Sequence, residues 1–268
     1  MKKKRIIPVL LLKNGWLVQS KKFTKHQNLG DPTTAVKRLS EWGSDELIYL
    51  DISRDQAYDR KRSDLNSFNR HSIEEILKDV SKNTFMPITV GGKIKNISDI
   101  ENRLLWGADK VSINTKGVEN PLLIENASKH FGSQCIVVSV DYKLIDKTPT
   151  VFIKNGSIKT NYNVYDWCKK VEDLGAGEIL LNSIERDGQR TGYDINILKE
   201  ISNNIQIPTI ALGGVGEWSH FEIGFRNTNV DAVAAANIFH YSDQSVYNAR
   251  KYLYDKKLPV RSPQLIKI

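Results

Sequence analysis

The feature of this sequence that most constrains its fold is an alternation, repeated eight times, between short apolar runs and amphipathic stretches. Apolar runs of roughly 4–8 residues have the length of buried strands, and an apolar period of about 3.6 residues is typical of helices that cover a sheet. The predicted strands are residues 5–12, 46–52, 86–90, 110–113, 135–140, 178–182, 207–211 and 232–235. The clearest helices are predicted at residues 32–42, 72–81, 121–130, 164–174 and 195–202. Eight βα units in 268 residues predict one (β/α)8 barrel, the TIM barrel.

Local signals add detail to this barrel. Asp31 before Pro32 and Asn120 before Pro121 have the pattern of a capping residue followed by proline in the first helical turn. Residues 143–159 alternate around proline, asparagine and glycine, which predicts a small hairpin inserted after the fifth strand. The segment after the first strand, which contains Trp16, is predicted as a mobile loop.

The two halves of the sequence resemble each other, which indicates a barrel made of two similar half-barrels. Residues 43–51 recur as 175–183, residues 87–92 as 208–214, and residues 108–112 as 230–234. No linker rich in Pro, Gly or Ser divides the chain. We therefore expect a single domain over residues 1–268, with half-barrels of about 1–131 and 132–268.

The composition excludes several classes of protein. With 40% hydrophobic and 26% charged residues the chain is an ordinary globular protein, and its apolar runs are far shorter than the roughly 20 residues of a membrane helix. The basic N-terminus is not followed by a signal-peptide pattern, so we expect a cytoplasmic protein without a membrane association. Cys135 and Cys168 predict neither a disulfide nor a zinc site, and the five histidines lack metal-ligand spacing. No metal and no cofactor is expected.

Glycine pairs follow the third and seventh predicted strands, and an asparagine-containing pair follows the next strand in each half. Backbone amides of such turns can approach a phosphate closely, helped by the helix N-terminus that follows. The alternative is that the glycines only make tight βα turns. The candidate phosphate-binding residues are Gly91, Gly92, Asn114 and Thr115 on one side of the barrel mouth, and Gly213, Gly214, Ala236 and Asn237 on the other.

Basic residues interleaved with aromatic residues follow the second predicted strand. They are Arg54, Arg60, Lys61, Arg62 and Arg70, with Tyr58 and Phe68 between them. This mixture can bind nucleic acid. At the mouth of a phosphate-binding barrel, and in a chain of net charge +8, it favours a solvated lid that attracts a phosphorylated small molecule. We expect no nucleic-acid partner.

Carboxylates at strand ends are candidates for acid/base chemistry, because the carboxyl ends of barrel strands form the active-site face. Asp51 ends the second predicted strand, Asp141 ends the fifth, and Asp187 follows the sixth. The alternative for Asp51 is a residue that orders its turn. In the repeat, the position equivalent to Asp141 is Leu11, so a carboxylate is expected on one side of the mouth only.

Several segments together resemble the cyclase subunit of imidazole glycerol phosphate synthase, the HisF family: residues 4–8 (KRIIP), 30–32 (GDP), 45–47 (DEL), 50–52 (LDI), 107–115 (GADKVSINT), 175–181 (GAGEILL) and 186–188 (RDG). The resemblance spans about residues 4–262. It implies a barrel partnered by a HisH-type glutaminase, in a heterodimer, on its amino face. Ammonia would pass through the barrel to a doubly phosphorylated substrate at the carboxyl face. The products would be imidazole glycerol phosphate and an aminoimidazole carboxamide ribotide, made by a lyase-type enzyme.

The resemblance assigns roles to individual residues and shows where this chain departs from the family. Asp141 matches the second catalytic aspartate, whereas the first falls on Leu11, which can neither give nor take a proton. A loop lysine of the family falls on Gln19, and the third glycine of the first phosphate turn falls on Lys93. Lys93 would bind phosphate through its charge, although its Cβ obstructs close backbone approach. The substrate-binding residues implied by the resemblance also include Asn182, Asp187 and Gly188.

The amino-face residues of the family are retained. Arg5, Glu46, Lys110 and Glu178 match its ring of alternating charges, the proposed gate for ammonia, and Asp109 matches a residue that docks the glutaminase. The alternative is an ion network that simply closes the bottom of a barrel. The charged entrance at the amino face is retained, whereas residues at the carboxyl mouth are altered. This combination suggests that ammonia is delivered to a different reaction.

A divergent branch of the family is the best match to these departures. The sequences 10–13 (LLLK) and 181–184 (LNSI) resemble HisF-like proteins found with surface-polysaccharide genes. That branch is implicated in forming acetamidino groups on sugars, with a dedicated glutaminase and a separate sugar amidotransferase. The resemblance therefore implies an ammonia-using synthase subunit of polysaccharide biosynthesis. The alternatives are a genuine cyclase of histidine biosynthesis and a non-catalytic ammonia conduit or scaffold.

Overall fold

The computed structural model describes residues 3–54, 58, 72–82 and 84–266, and within them eight parallel strands form a closed barrel. The barrel strands are β1 (Arg5–Lys13), β4 (Leu47–Asp51), β5 (Ile88–Gly91), β6 (Lys110–Ile113), β7 (Ile136–Ile145), β10 (Glu178–Ser183), β11 (Thr209–Leu212) and β12 (Ala232–Ala235). The remaining strands are β2 (Trp16–Lys21), β3 (Lys25–Gly30), β8 (Thr148–Ile153) and β9 (Ile158–Asn163). Pairing of β10 with β7 closes the barrel, which confirms the predicted (β/α)8 fold.

Helices cover the outside of the barrel between its strands. They are α1 (Pro32–Glu41), α2 (Ile73–Lys82), α3 (Ile97–Leu105), α4 (Thr115–Glu119), α5 (Leu122–Phe131), α6 (Val164–Asp173), α7 (Ile195–Asn204), α8 (Trp218–Asn227) and α9 (Ser245–Asp255), with short 3-10 helices at Ser133–Cys135 and Asn237–His240. None of the helices in these described parts is long and apolar enough to cross a membrane.

One of the two predicted helix caps is confirmed. Asp31 accepts hydrogen bonds from the backbone N–H groups of Thr33 (2.8 Å) and Thr34 (3.0 Å) at the start of α1. The predicted cap at Asn120 is wrong, because Asn120 ends the short helix α4 and Pro121 takes the N-cap position of α5.

Two antiparallel hairpins extend from the carboxyl rim, one in each half of the chain. The second hairpin, β8 and β9, pairs with the extension of β7, as predicted for residues 143–159. The first hairpin, β2 and β3, pairs with the end of β1, where the sequence was interpreted as a mobile loop. That interpretation is wrong: Trp16 lies in β2 and is only 5% exposed. The overlooked signal is Asn14–Gly15, both with positive φ, the two-residue turn that joins β1 to β2.

The apolar core has two parts, separated by the wall of the barrel. The larger part lies between the strands and the helices. The smaller part fills the barrel itself and contains Ile7, Val9, Leu11, Val18, Ile48, Val137, Leu180, Ile210, Leu212, Ala232 and Ala234. Strand register places Thr89, Ser112 and Ser139 on this inner side too, so small hydroxyl groups interrupt an otherwise apolar interior.

Candidate active site at the carboxyl mouth

A cavity of about 1040 Å³ opens at the carboxyl ends of the barrel strands, and we call it the mouth cavity. It brings together most of the residues predicted from sequence: Leu11, Asp51, Gly92, Lys93, Asn114, Thr115, Asp141, Asn182, Asp187 and Ala236. Five predicted residues do not line it: Gly91, Gly188, Gly213, Gly214 and Asn237. A volume of this size accommodates a phosphorylated small molecule.

Asp141 occupies the point where β7 leaves the barrel, and two neighbouring strands hold its carboxyl group. Asn114, after β6, donates to Oδ2 at 3.0 Å, and Asn182 of β10 donates to Oδ1 at 3.0 Å. The pKa of Asp141 is raised to about 7, mainly by burial and also by the nearby charge of Asp187, and the two amide donors partly oppose these effects. A carboxyl group with this pKa can hold or release a proton near neutral pH, as a general acid or base must.

The wall opposite Asp141 is apolar. β1 and β7 lie four strands apart in the eight-stranded barrel, so Leu11 and Asp141 stand on opposite sides of the mouth. Leu11 is buried, lines the cavity and belongs to the same interior cluster as Val9 and Leu212. Within the barrel wall, the position equivalent to Asp141 therefore supplies no proton-transferring group.

The turn after β5 is held by contacts with the end of β4. Gly92 has a φ of +100°, and a Cβ there would lie 2.1 Å from the carbonyl oxygen of Asp51, so only glycine fits. Lys93 has a left-handed φ of +59° and places Nζ 3.4 Å from Asp51 Oδ2 and 4.9 Å from the ring centroid of Tyr58. The same carboxylate accepts hydrogen bonds from the N–H of Ser53 (2.9 Å) and the hydroxyl of Tyr58 (3.0 Å). Asp51 thus orders its loop while also lining the cavity.

The candidate residues on the other side of the mouth are placed differently, because the first hairpin contacts the residues that follow β10 and β12. Asn237 donates through Nδ2 to the carbonyl oxygen of Ser20 at 2.8 Å. Asp187 accepts from the hydroxyl of Ser20 at 2.6 Å and from the N–H of Phe23 at 3.2 Å. A Cβ on Gly188 would lie 2.5 Å from the carbonyl oxygen of Ser20. The two candidate phosphate sites, predicted as equivalent, are therefore unequal: one opens into the cavity and the other is covered.

The lining of the mouth cavity is rich in cations. Eight are present among the described residues, Lys13, Lys22, Arg54, Lys93, Lys95, Lys116, Lys143 and Lys154, against four carboxylates, Asp51, Glu119, Asp141 and Asp187. This excess favours an anionic ligand. Of the basic loop singled out in the sequence, only Arg54 and Tyr58 can be placed at this mouth. Arg60, Lys61, Arg62, Phe68 and Arg70 lie outside the described residues.

At the opposite, amino end of the barrel four charged side chains form a closed ring. Nη1 of Arg5 lies 2.5 Å from Glu46 and 2.8 Å from Glu178. Nζ of Lys110 lies 3.1 Å from Glu46 and 2.9 Å from Glu178. Burial alone would lower the pKa of Arg5, but the carboxylates of Glu178 and Glu46 raise it above its ordinary value. The ring is thus tightly paired.

Asp109 is exposed at this amino end and also has a structural contact. Its Oδ2 accepts a hydrogen bond from the N–H of Ile88 at 2.8 Å, at the beginning of β5. Asp45 and Asp231 accept in the same way from Ile6 and Thr209, at the beginnings of β1 and β11. This recurring role was not predicted from the sequence, although these aspartates stand just before strands.

Several residues that line the mouth cavity, three of them on its β-strands, were not singled out as site candidates by the sequence. Lys13 ends β1, His26 lies on β3, and Lys143 lies on the extension of β7. The hairpin that carries His26 was not predicted, so its position could not be derived. Within the described residues, no group of three or more His, Cys, Asp or Glu side chains could hold a metal ion.

Comparisons with known proteins agree on one family. A family model described as "Histidine biosynthesis protein" matches residues 5–245. The chain is similar to the imidazole glycerol phosphate synthase subunit HisF of Bacillus cereus strain G9842, with 40% identity over 259 residues, 96% of this chain and 98% of the relative. It is also similar to the protein of the same name from Bacillus cereus strain Q1, with 39% identity over the same shares of both chains.

Proposed function

The chain belongs to the HisF family, and from this premise we propose that it accepts ammonia from a glutaminase and incorporates the nitrogen into a phosphorylated small molecule. The observation that carries the proposal is the pairing of two sites on one axis. A closed ring of charges stands at the amino end, and a carboxyl group with a pKa of about 7 stands in an anion-favouring cavity at the other end.

The barrel interior supports the proposed ammonia path. Inside the ring lie apolar residues such as Ile7 and Val137, interrupted by the small polar side chains of Ser112 and Ser139. A neutral molecule the size of water can cross such a lining, whereas an ammonium ion would lose its hydration there at high cost. The ring can open by separation of its paired side chains alone. The proposed gate for ammonia is therefore the ring of Arg5, Glu46, Lys110 and Glu178.

The proposed partner is a HisH-type glutaminase, bound to the amino face in a heterodimer. Phe85 and Leu105 are 79% and 75% exposed. Phe85 lies just before β5, and Leu105 ends α3 just before β6, so both stand near the amino ends of the strands. Exposed large apolar side chains beside a polar residue such as Asp109 are a common composition for a docking surface.

At the mouth we assign Asp141 as the acid/base residue, positioned by Asn114 and Asn182. One phosphate would bind at the turn after β5, and a second at the turn after β11 once the first hairpin moves off Asn237. The proposed ligand-binding residues are Asp51, Gly91, Gly92, Lys93, Asn114 and Thr115 on the first side, and Asn182, Asp187, Gly188, Gly213, Gly214, Ala236 and Asn237 on the second.

The proposed reaction is amidination of a surface-polysaccharide sugar, in concert with a separate sugar amidotransferase. Leu11 supports it, because two carboxylates on opposite sides of the substrate cannot act where one is replaced by an apolar side chain. A second candidate is the cyclase reaction of histidine biosynthesis, which is favoured by 40% identity over 96% of the chain to proteins named for that synthase.

The test pairs the purified chain with a histidine-pathway glutaminase and follows loss of the ribotide substrate of the cyclase. Turnover at the rate of an ordinary cyclase would favour the histidine reaction and remove the amidination proposal. Slow or absent turnover, together with glutamine-dependent amidination when the sugar amidotransferase is added, is the expected result. Asp141→Asn should abolish that amidination; an unchanged rate in this variant would favour a non-catalytic conduit.

A further inference from the structure

The first hairpin carries a histidine into the mouth cavity. In the antiparallel pairing of β2 with β3, His26 stands directly opposite Ser20. Side chains opposite each other in a hairpin share one face. Ser20 donates its hydroxyl to Asp187 at 2.6 Å, so this face is turned toward the mouth. Consistent with this, His26 lines the mouth cavity, and no other histidine does so among the described residues.

Cations surround the imidazole of His26. Nδ1 lies 3.4 Å from Nζ of Lys13, which stands two residues beyond Leu11 on β1, and Arg54 approaches from the end of β4. From the side of β10, Asp187 reaches the same face of the hairpin through Ser20. Burial, followed by the charges of Lys13 and Arg54, lowers the pKa of His26 below its ordinary value of 6.5. The imidazole is therefore neutral at pH 7. Because the ammonium of Lys13 can only donate, Nδ1 is the nitrogen that carries the lone pair, and it accepts a proton from a ligand when Lys13 turns away from it.

The cavity shifts the proton affinities of these two groups in opposite directions. An unperturbed aspartate has a pKa near 4 and an unperturbed histidine one near 6.5. Here burial raises the pKa of Asp141 to about 7, whereas burial and the charges of Lys13 and Arg54 lower the pKa of His26. Opposite shifts of this kind suit the carboxyl group to act as the acid and the imidazole to act as the base.

We propose that His26 is the second proton-transferring group of the mouth, acting as a base on the β1 side of a bound ligand while Asp141 acts as the acid on the β7 side. The first hairpin thereby supplies the proton-accepting side chain that is absent at Leu11. Lys13, two residues beyond Leu11 on β1, is a proton donor without an acceptor and cannot replace it. The inference rests on the proposed function, in which ammonia reacts with a phosphorylated ligand in this cavity.

The proton balance is simple for addition of ammonia to a carbonyl carbon of the ligand. The new C–N bond forms as the C=O π bond breaks. The oxygen receives the proton of Asp141, and the nitrogen gives one proton to His26. After the product leaves, His26 returns its proton to water and Asp141 regains one, so the net proton count is unchanged.

The kinetic test uses the full chain in the amidination assay with the sugar amidotransferase, and ammonium chloride supplies the nitrogen. His26→Gln should lower kcat roughly 100-fold and abolish the fall in rate on the acidic side of the pH profile. The matched control His130→Gln, at an exposed position near the end of α5, should change neither kcat nor the pH profile. In a Leu11→Asp background the new carboxylate takes over the proton, so His26→Gln should cost less than roughly tenfold. If His26→Gln leaves kcat unchanged and its rate still falls on both the acidic and the basic side of the pH profile, the proposal is overturned.

A second measurement needs no turnover, so it separates this inference from the proposed function. A chain that is inactive in the amidination assay contradicts only the proposed reaction. NMR titration of the His26 imidazole and the Asp141 carboxyl carbon, assigned by their loss in His26→Gln and Asp141→Asn, decides the proton-transfer role. The proposal requires His26 to titrate at a lower pH than Asp141. The opposite order overturns it whatever the kinetics give.

Discussion

Asp141→Asn tests how the fold sets the proton affinity of the mouth. The carboxyl group of Asp141 is buried, and its pKa is about 7 in the folded chain against 3.8 as its ordinary value. A raised pKa means that the folded state binds the proton more tightly than the unfolded state. The contribution of Asp141 to stability is therefore fully present below pH 3.8 and is lost as the pH rises through 7.

The size of this loss follows from the shift. The rise from 3.8 to about 7 corresponds to a cost of slightly more than about 4 kcal/mol above pH 8, of which slightly less than about 2 kcal/mol is already present at pH 5. Asparagine carries no charge and does not incur this cost. The free energy of unfolding of Asp141→Asn, relative to that of the unmodified chain, should thus rise by about 3 kcal/mol between pH 5 and pH 9.

Urea unfolding of both chains at closely spaced pH values measures this difference. Asp146→Asn is the matched control, because Asp146 is exposed in the turn of the second hairpin, where its φ of +48° also suits asparagine. The control should follow the unmodified chain at every pH. A difference for Asp141→Asn that stays constant from pH 5 to pH 9 would show that Asn114 and Asn182 keep the carboxylate ionised, and would refute the argument.

Three further variants test other parts of the structure. Lys93→Gly should lower the free energy of unfolding by about 1–2 kcal/mol, because the buried Asp51 carboxylate loses the Lys93 ammonium that lies 3.4 Å away, and this outweighs the relief of the left-handed φ of +59°; thermal unfolding checks this. Gly92→Ala should lower it by more than about 2 kcal/mol in urea unfolding, because its Cβ would meet the carbonyl oxygen of Asp51 at 2.1 Å. Glu46→Gln should cost about 2–3 kcal/mol, since Arg5 and Lys110 each lose a partly buried partner, and unfolding in low and high salt should show the same loss.

The barrel could be predicted from the sequence because its periodicity repeats eight times. β6 and β12 begin and end where the apolar runs do. β7 runs past its predicted end at residue 140 as far as Ile145, because its extension is stabilised by the second hairpin. The first hairpin was missed because the β3 sequence, Lys25–Gly30, is largely polar and lacks the alternation of a half-buried strand.

The candidate site could be predicted only in part. A repeat identifies which residues stand at strand ends, so Asp141, Asn114 and Asn182 could be named in advance. That Asn114 and Asn182 both donate to Asp141 depends on the stagger of β6, β7 and β10, which a single sequence does not reveal. The covering of Asn237 by Ser20 is a contact across 217 residues and has no local signal.

The sequence by itself determined the barrel, its polarity and the absence of a carboxylate at position 11, because periodicity and residue identity are local properties. Only the tertiary structure decided that Asp141 is buried between two amides, that His26 enters the same cavity and that the first hairpin covers Asn237. These properties depend on which distant segments meet. Burial and neighbouring charge, which set the proton affinities of the mouth, exist only after the barrel has closed.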